Sequence, residues 1–240
     1  MRNYVENSDL TFQGYLMNKL IVGCPVKNDL TCLRLMIESL INSTWAYDTI
    51  FIYDGGSDKE TLDYLYDLVG SHTNIDVVFG NTKTPLEAYN KLFEMAKDNH
   101  ADLLLTQTDV IFPKLYNRDW LIEMKIAAQD KNIGAITTLN GGKHSGPDYI
   151  DGMYWLGGWC TYLPYRTIEK LGGYDENFPN GFGVDIDYTY RIFKEGLKIA
   201  IINYWVDHHM ANTREHDTNS KAEEMKQESS KWFKMKWGLS

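Results

Sequence analysis

Thr49-Ile50-Phe51-Ile52-Tyr53-Asp54-Gly55-Gly56-Ser57-Asp58 is the stretch on which the fold turns. Its β-branched and aromatic half predicts a buried strand over residues 49–53. The glycines that follow permit close backbone approach, and Asp58 can cap a helix over 59–69. On the N-terminal side, residues 19–24 read as another buried strand, and Asp29 is placed to cap a helix carrying Leu33, Met36, Ile37 and Leu40 on one face. On the C-terminal side a strand over 76–79, a helix over 85–97 and a strand over 102–106 repeat the alternation. That rhythm predicts a parallel α/β half with right-handed crossovers. Ligands of such sheets bind beyond the carboxyl ends of the strands, where loops 25–28, 54–58 and 107–109 would gather.

Beyond Pro113 the pattern changes. A helix is expected over 117–130 and a strand over 133–137, followed by a glycine-rich, helix-poor insertion to Tyr165 that shapes a site. Helices near 167–171 and 185–194 and a strand over 198–202 follow. Residues 213–240 are charged and lysine-rich but contain Trp232, Phe233 and Trp237, which predicts a helix docked on the body. Internal repeats and low-complexity tracts are absent.

The 240 residues are 43% hydrophobic, ample for a sizeable core. The three cysteines, Cys24, Cys32 and Cys160, show no paired or metal-ligand spacing and read as reduced core thiols. The first eighteen residues do not read as a signal peptide, and the apolar runs are strand-length, so a cytoplasmic protein without a transmembrane segment is expected. A net charge of −9 argues against broad non-specific binding to nucleic acid or anionic lipid. Sixteen tyrosines and seven tryptophans suit sugars or bases as well as cores.

Four places could carry chemistry. Asp54 closes a strand before two glycines, where a carboxylate either accepts a nucleobase proton or forms the turn. Asp109 follows the apolar run Leu103-Leu104-Leu105-Thr106-Gln107-Thr108 and is either a metal ligand for a diphosphate or an exposed strand-end residue. Asp185 follows the loop Gly181-Phe182-Gly183-Val184 and is either a general base or a helix cap, while Asp187 and Arg191 stand four apart and can pair. In Val206-Asp207-His208-His209, adjacent histidines on extended chain face opposite ways, so His208 can point at a metal.

In this order the segments from about Lys19 to Thr213 resemble the inverting glycosyltransferase family 2. The resemblance implies a GT-A fold, a Rossmann-like α/β nucleotide-diphospho-sugar transferase with a mixed central sheet flanked by helices. It implies an extension over 1–18, a glycosyltransferase domain over 19–212 (nucleotide-sugar half 19–112, acceptor half 113–212) and a helical tail over 213–240. Pro25, Val26 and Asn28 are similar to the first nucleotide-binding loop, Asp54 to the uracil contact, and Asn90 to the asparagine ending the helix before the metal strand. Asp109 matches the last carboxylate of the Asp-x-Asp motif. Gly172-Gly173-Tyr174-Asp175-Glu176 resembles the Gly-Gly-aromatic-Asp-Glu turn, Asp185 the catalytic base, Asp187 and Arg191 the rest of that signature, and His208 the late histidine. Gln107 stands where the family has its first aspartate, and Val184 where it commonly has glutamate.

The implied reaction is an inverting hexosyl or pentosyl transfer from a nucleotide diphosphate donor, UDP-sugar in the first place, to a hydroxyl. Asp185 acts as base, and a divalent metal, Mn2+ or Mg2+, sits on Asp109 and His208. Asn90, Gln107 and Thr108 join the donor contacts, and Lys83 is an added phosphate contact. Trp155, Gly158, Trp159 and Asp187 fall to the acceptor, with the tryptophans either stacking on it or sitting in the core. The acceptor would be a glycan or cell-envelope polymer, or a hydroxymethylated DNA base of viral type. The DNA version would use Lys226, Lys231, Lys234 and Lys236 beside Trp232 and Trp237, which otherwise form a solvated helix with an aromatic docking face. A nucleotidyltransferase would need a glycine-rich basic loop that 23–29 lacks, and neither phosphate-loop nor Rossmann glycine patterns occur. A catalytically inactive glycan-binding protein remains the non-enzymatic alternative.

Overall fold

Strand-forming residues with no polar partner on either face bury themselves between two helical layers, and the chain is built that way. The computed structural model describes residues 18–140, 149–150, 153–154, 156–181, 183–208 and 219–239. Strands β1 (Leu20–Val26), β2 (Thr49–Asp54), β3 (Ile75–Phe79) and β4 (Asp102–Thr106) alternate with helices α1 (Leu30–Ser43), α2 (Lys59–Ser71) and α3 (Pro85–Asp98). Then come β5 (Val110–Ile111), α4 (Trp120–Ala127), β6 (Ile133–Asn140), and the hairpin of β7 (Tyr149–Ile150) and β8 (Met153–Tyr154). The last group is β9 (Cys160–Leu163), α5 (Tyr165–Leu171), a 3₁₀ turn (Pro179–Gly181), α6 (Val184–Lys194), β10 (Lys198–His208) and α7 (Asn219–Trp237).

The main sheet runs β3-β2-β1-β4-β9-β6-β10-β5, with β9 antiparallel to both its neighbours and β5 antiparallel to β10. It is therefore mixed. One core lies between the sheet and α1, α2 and α4, and the other between the sheet and α3, α5 and α6. No helix among the described residues is long and apolar enough to cross a membrane. All three cysteines are free and buried. Burial is the main reason the Cys160 thiol is pushed up to about 12, so it stays protonated at neutral pH.

Several expectations are corrected. Asp29 stands at the N-cap of α1 but makes no side-chain capping bond. Its carboxylate instead accepts from the Thr108 hydroxyl at 2.6 Å. Helix α4 starts at Trp120 rather than 117 because Asp119 caps it, accepting from the backbone N–H of Leu121 and Ile122 at 2.9 and 3.2 Å, and it ends at Ala127 rather than 130. β10 runs on to His208, with Ile202, Tyr204 and Val206 turned into the core and Ile201, Asn203 and Trp205 outward. The stretch leading to Tyr165, expected as an insertion, contains β9, whose four residues are all buried between β4 and β6.

Candidate active site

The carboxyl ends of β1 and β2 lie in register, Val26 beside Asp54, and their loops are laced into one floor. Gly55 N–H donates to the Val26 carbonyl at 2.8 Å. Asn28 adopts a left-handed φ of 55°, its side-chain oxygen accepting from Asp58 N–H at 2.6 Å and its own N–H donating to the Ser57 hydroxyl at 3.0 Å. Asp54 is 1% exposed, and its carboxylate accepts from the N–H groups of Gly56 and Ser57, both at 3.1 Å. These bonds hold the turn, and the φ of 94° at Gly56 is one that glycine alone adopts without strain. Pro25 is half-buried and the Val26 side chain sits in the core, so these two meet the loop through their backbone. Lys83 is exposed on the loop before α3, its N–H donating to Glu87 at 2.9 Å.

A second group forms where β4 ends. The chain turns through Gln107, Thr108 and Asp109 into β5, whose Val110 pairs with His208 at the end of β10. This register sets Asp109 against His208, with Oδ1 to Nε2 at 3.4 Å and both side chains largely buried. The Trp159 ring lies against His208 with centroids 5.8 Å apart. Trp159 Nε1 and His208 Nδ1 are shielded from solvent and have no hydrogen-bond partner among the described residues.

The third group joins the first helix turn of α6 to this edge. A Cβ built on Gly158 would lie 3.4 Å from Gln107 Nε2 and 3.7 Å from Asp185 Oδ2, so both side chains end against the same glycine. Sequence reasoning missed Tyr89, the neighbour of Asn90 on α3. Burial chiefly pushes the Tyr89 phenol up, the Asp109 and Asp185 carboxylates push the same way, and a hydrogen bond with Gln107 opposes them. Cys24 is raised by burial and then by Asp109 and Asp29, and Tyr174 by burial and then by Asp185. Burial is the main cause in all three, and the Asp109 and Asp185 carboxylates add to it at Tyr89, so the two lie near one buried phenol. Two carboxylates near one place favour a divalent cation over a bare diphosphate.

The donor set fits such a cation as part of a shell. Cis ligands about 2.1 Å from an octahedral ion stand about 3 Å apart, close to the Asp109–His208 separation; the carboxylate oxygen suits Mn2+ or Mg2+, and the imidazole nitrogen favours the transition-metal ion Mn2+. Among the described residues no group of three His, Cys, Asp or Glu side chains forms a complete cage. Phosphate oxygens and water would supply the rest.

Two expected site residues go elsewhere. The Asn90 amide donates to the Tyr174 carbonyl at 3.0 Å and to Glu176 at 2.9 Å, while its oxygen accepts from Tyr174 N–H at 2.8 Å. It clamps the Gly172–Glu176 turn. Asp187 is fully buried, its carboxylate committed to Arg191, Lys236 and Trp237, which removes it from any acceptor contact. Trp155 lies outside the described residues.

The glycines give a test of this convergence. An alanine at Gly158 meets its neighbours at ordinary contact distance, so Gly158→Ala should fold normally yet fill the space between Gln107 and Asp185. Any chemistry carried by Gln107 and Asp185 should then slow about tenfold, as small misplacements at reacting centres do, with the melting temperature unchanged. Gly157→Ala would set a methyl 2.1 Å from the Trp159 ring, so that variant should lose stability as well. Thermal melts beside rate measurements on both variants separate the two outcomes.

No protein-family profile matches the sequence, and no curated protein matches it. Solved structures do. The mannosyltransferase PcManGT from Pyrobaculum calidifontis, in complex with GDP-Man and Mn2+, superposes with a TM-score of 0.64 at 15% identity, over 82% of this chain and 58% of that one. GalNAc-T7 with UDP, GalNAc and Mn2+ gives a TM-score of 0.65 at 15% identity, over 81% of this chain and 44% of that one. Residues 1–349 of S. aureus TarS give 0.61 at 14% identity, over 79% and 60%. The chain thus spans between 44% and 60% of the length of these proteins. At such low identity what the likeness establishes is architecture: the chain has the GT-A fold, with its mixed sheet and flanking helices.

Proposed function

We propose that the protein is an inverting, metal-assisted glycosyltransferase of the family 2 kind, transferring a hexose or pentose from a nucleoside diphosphate donor to a hydroxyl. The observation that carries the reading is the meeting of four distant segments at one edge: Gln107 and Asp109 after β4, Gly158 before β9, Asp185 on α6 and His208 at the end of β10. The floor of loops 25–28 and 54–58 would carry the nucleoside. Asp185, in the first turn of α6, would accept the proton of the acceptor hydroxyl as that oxygen attacks the anomeric carbon from the side opposite the diphosphate. Gln107 would orient the donor through its neutral amide. Asp109 and His208 would hold the divalent ion, which when bound supplies positive charge for the departing diphosphate.

For the acceptor, a glycan or cell-envelope hydroxyl is favoured over duplex DNA. Lys236 and Trp237, two of the groups a DNA-binding tail would offer, are turned inward onto Asp187, and the net charge is −9.

The test is a panel of nucleoside diphosphate sugars with Mn2+ or Mg2+, read by released nucleotide, with oligosaccharides or hydroxymethylated duplex DNA added in separate arms. Release from at least one donor is expected, stimulated by an acceptor and lowered about 100-fold in Asp109→Ala. No release from any donor with either ion overturns the reading. Stimulation by the DNA arm alone reverses the preference for a glycan.

A further inference from the structure

Helix α7 begins 34 residues after Asp185 (219 against 185), yet it is fastened to both parts of the segment that delivers that residue. The first attachment is to the 3₁₀ turn. Ser229, itself 4% exposed, donates its hydroxyl to the Pro179 carbonyl at 3.0 Å, and the Lys236 ammonium stands 5.7 Å from the centre of the Phe178 ring. The second attachment is to α6. Lys236 Nζ reaches Asp187 Oδ1 at 2.7 Å, Trp237 Nε1 donates to the same oxygen at 2.9 Å, and the Trp237 and Tyr190 rings pack with centroids 4.6 Å apart.

Around Asp187 the charges balance. Its other oxygen pairs with Arg191 Nε at 3.2 Å, and Lys236 also bonds Asp175 at 2.7 Å, giving two carboxylates and two cations. Arg191 in turn donates to the carbonyls of Leu171 and Gly173 at 2.9 and 2.7 Å. Asp187 is fully buried, so removing one cation leaves charge uncompensated in a medium of low polarity, and the segment must shift to relieve it. That segment enters α6 through Gly183, whose φ of 74° makes a pivot, and Asp185 follows two residues later.

Resting on the glycosyltransferase reading, we propose that α7 is a clamp on the acceptor half, with Lys236 the positioning residue that holds the start of α6 and so aims Asp185. Among the described residues the bonds of Ser229, Lys236 and Trp237 on α7 go to the 3₁₀ turn, α6 and Asp175 and not to the donor-binding loops, so it acts on the base and not on the nucleotide.

The test uses the full chain with Lys236→Met and Lys236→Arg, each assayed for kcat and donor KM and for amide hydrogen exchange. For Lys236→Met, kcat should fall about 10- to 100-fold, the range that a displacement of about 1 Å at a reacting centre produces. Donor KM should stay within about twofold, because the floor formed by β1 and β2 is untouched. Exchange over residues 178–187 should rise about tenfold while β1 to β4 keep their protection. Lys236→Arg, which can still span both carboxylates, should restore most of the rate. Parental kcat with parental exchange in Lys236→Met overturns the clamp. So does a uniform loss of protection with donor KM rising in step, the signature of a merely structural contact. Where Lys236→Met does not fold, Trp237→Phe removes the N–H from Asp187 and trims the ring packed on Tyr190, and should show the same pattern at smaller size; no change in either readout overturns the proposal. A parent without transfer activity refutes the functional reading, and the exchange arm still decides whether α7 holds α6.

Discussion

Asp185→Asn should leave a folded protein that binds donor as the parent does and transfers sugar about 10²- to 10⁴-fold more slowly, the range associated with removing a positioned general base. The substitution preserves size and keeps a side-chain oxygen at the start of α6, so it changes basicity and little else. Its cost in stability is small, about 0.3 to 1 kcal/mol from losing a negative charge at a helix N-terminus. Single-turnover rates beside calorimetric donor affinity make the check. A variant slowed less than tenfold would remove Asp185 from the role of base, and one that loses donor binding would place the residue on the donor instead.

The second large effect concerns stability. Phe112, Trp120 and Tyr204 form a continuous stack, with centroids 5.2 and 4.8 Å apart and planes within 8° and 3° of parallel. Trp120 is fully buried, and its indole N–H donates to the Ser43 hydroxyl at 3.2 Å. Trp120→Ala should therefore cost about 3 to 5 kcal/mol, the usual toll of emptying a large aromatic site. In a chain of this size that lowers the melting temperature by about 6 to 20 °C. The loss reaches the site, because Tyr204 stands on β10, the strand that ends in His208. Metal-dependent donor binding should weaken in Trp120→Ala even at temperatures where the variant is folded. A melting temperature within about 2 °C of the parent would show that the stack carries no weight.

The first half of the fold was legible because every signal there is local. Strands β1 to β4 and helices α2 and α3 begin and end within two residues of where alternating apolar runs and caps put them. The extension of β10 to His208 was also written in the alternation of Ile202, Tyr204 and Val206, a period of two that reading the strand as ending at residue 202 cut short. β9 was not legible: four residues behind Gly157-Gly158 carry too little pattern, and what makes them a strand is the pair of edges that β4 and β6 offer.

The site divides the same way. Asp109, Asp185 and His208 were named from their places at strand and helix ends, and the fold does bring them to one edge. The i,i+4 spacing shows the Asp187–Arg191 pair, but the substrate roles given to Asn90 and Asp187 fail on partners that no motif carries. Their partners, Tyr174 with Glu176 and Lys236 with Trp237, lie 84 to 86 and about 50 residues away, and only packing reveals them. Tyr89 gave no signal beyond standing next to Asn90.

The central claim is that Asp109 and His208 hold a cation that the donor's diphosphate needs, while Asp185 serves the acceptor. Calorimetric titration of donor into parent, Asp109→Ala and Asp185→Asn, with and without Mn2+, addresses it most directly. The account predicts binding to the parent that strengthens at least tenfold with Mn2+, loses that gain in Asp109→Ala, and keeps it in Asp185→Asn. Donor binding indifferent to Mn2+ in the parent, or equally strong in Asp109→Ala, would contradict it.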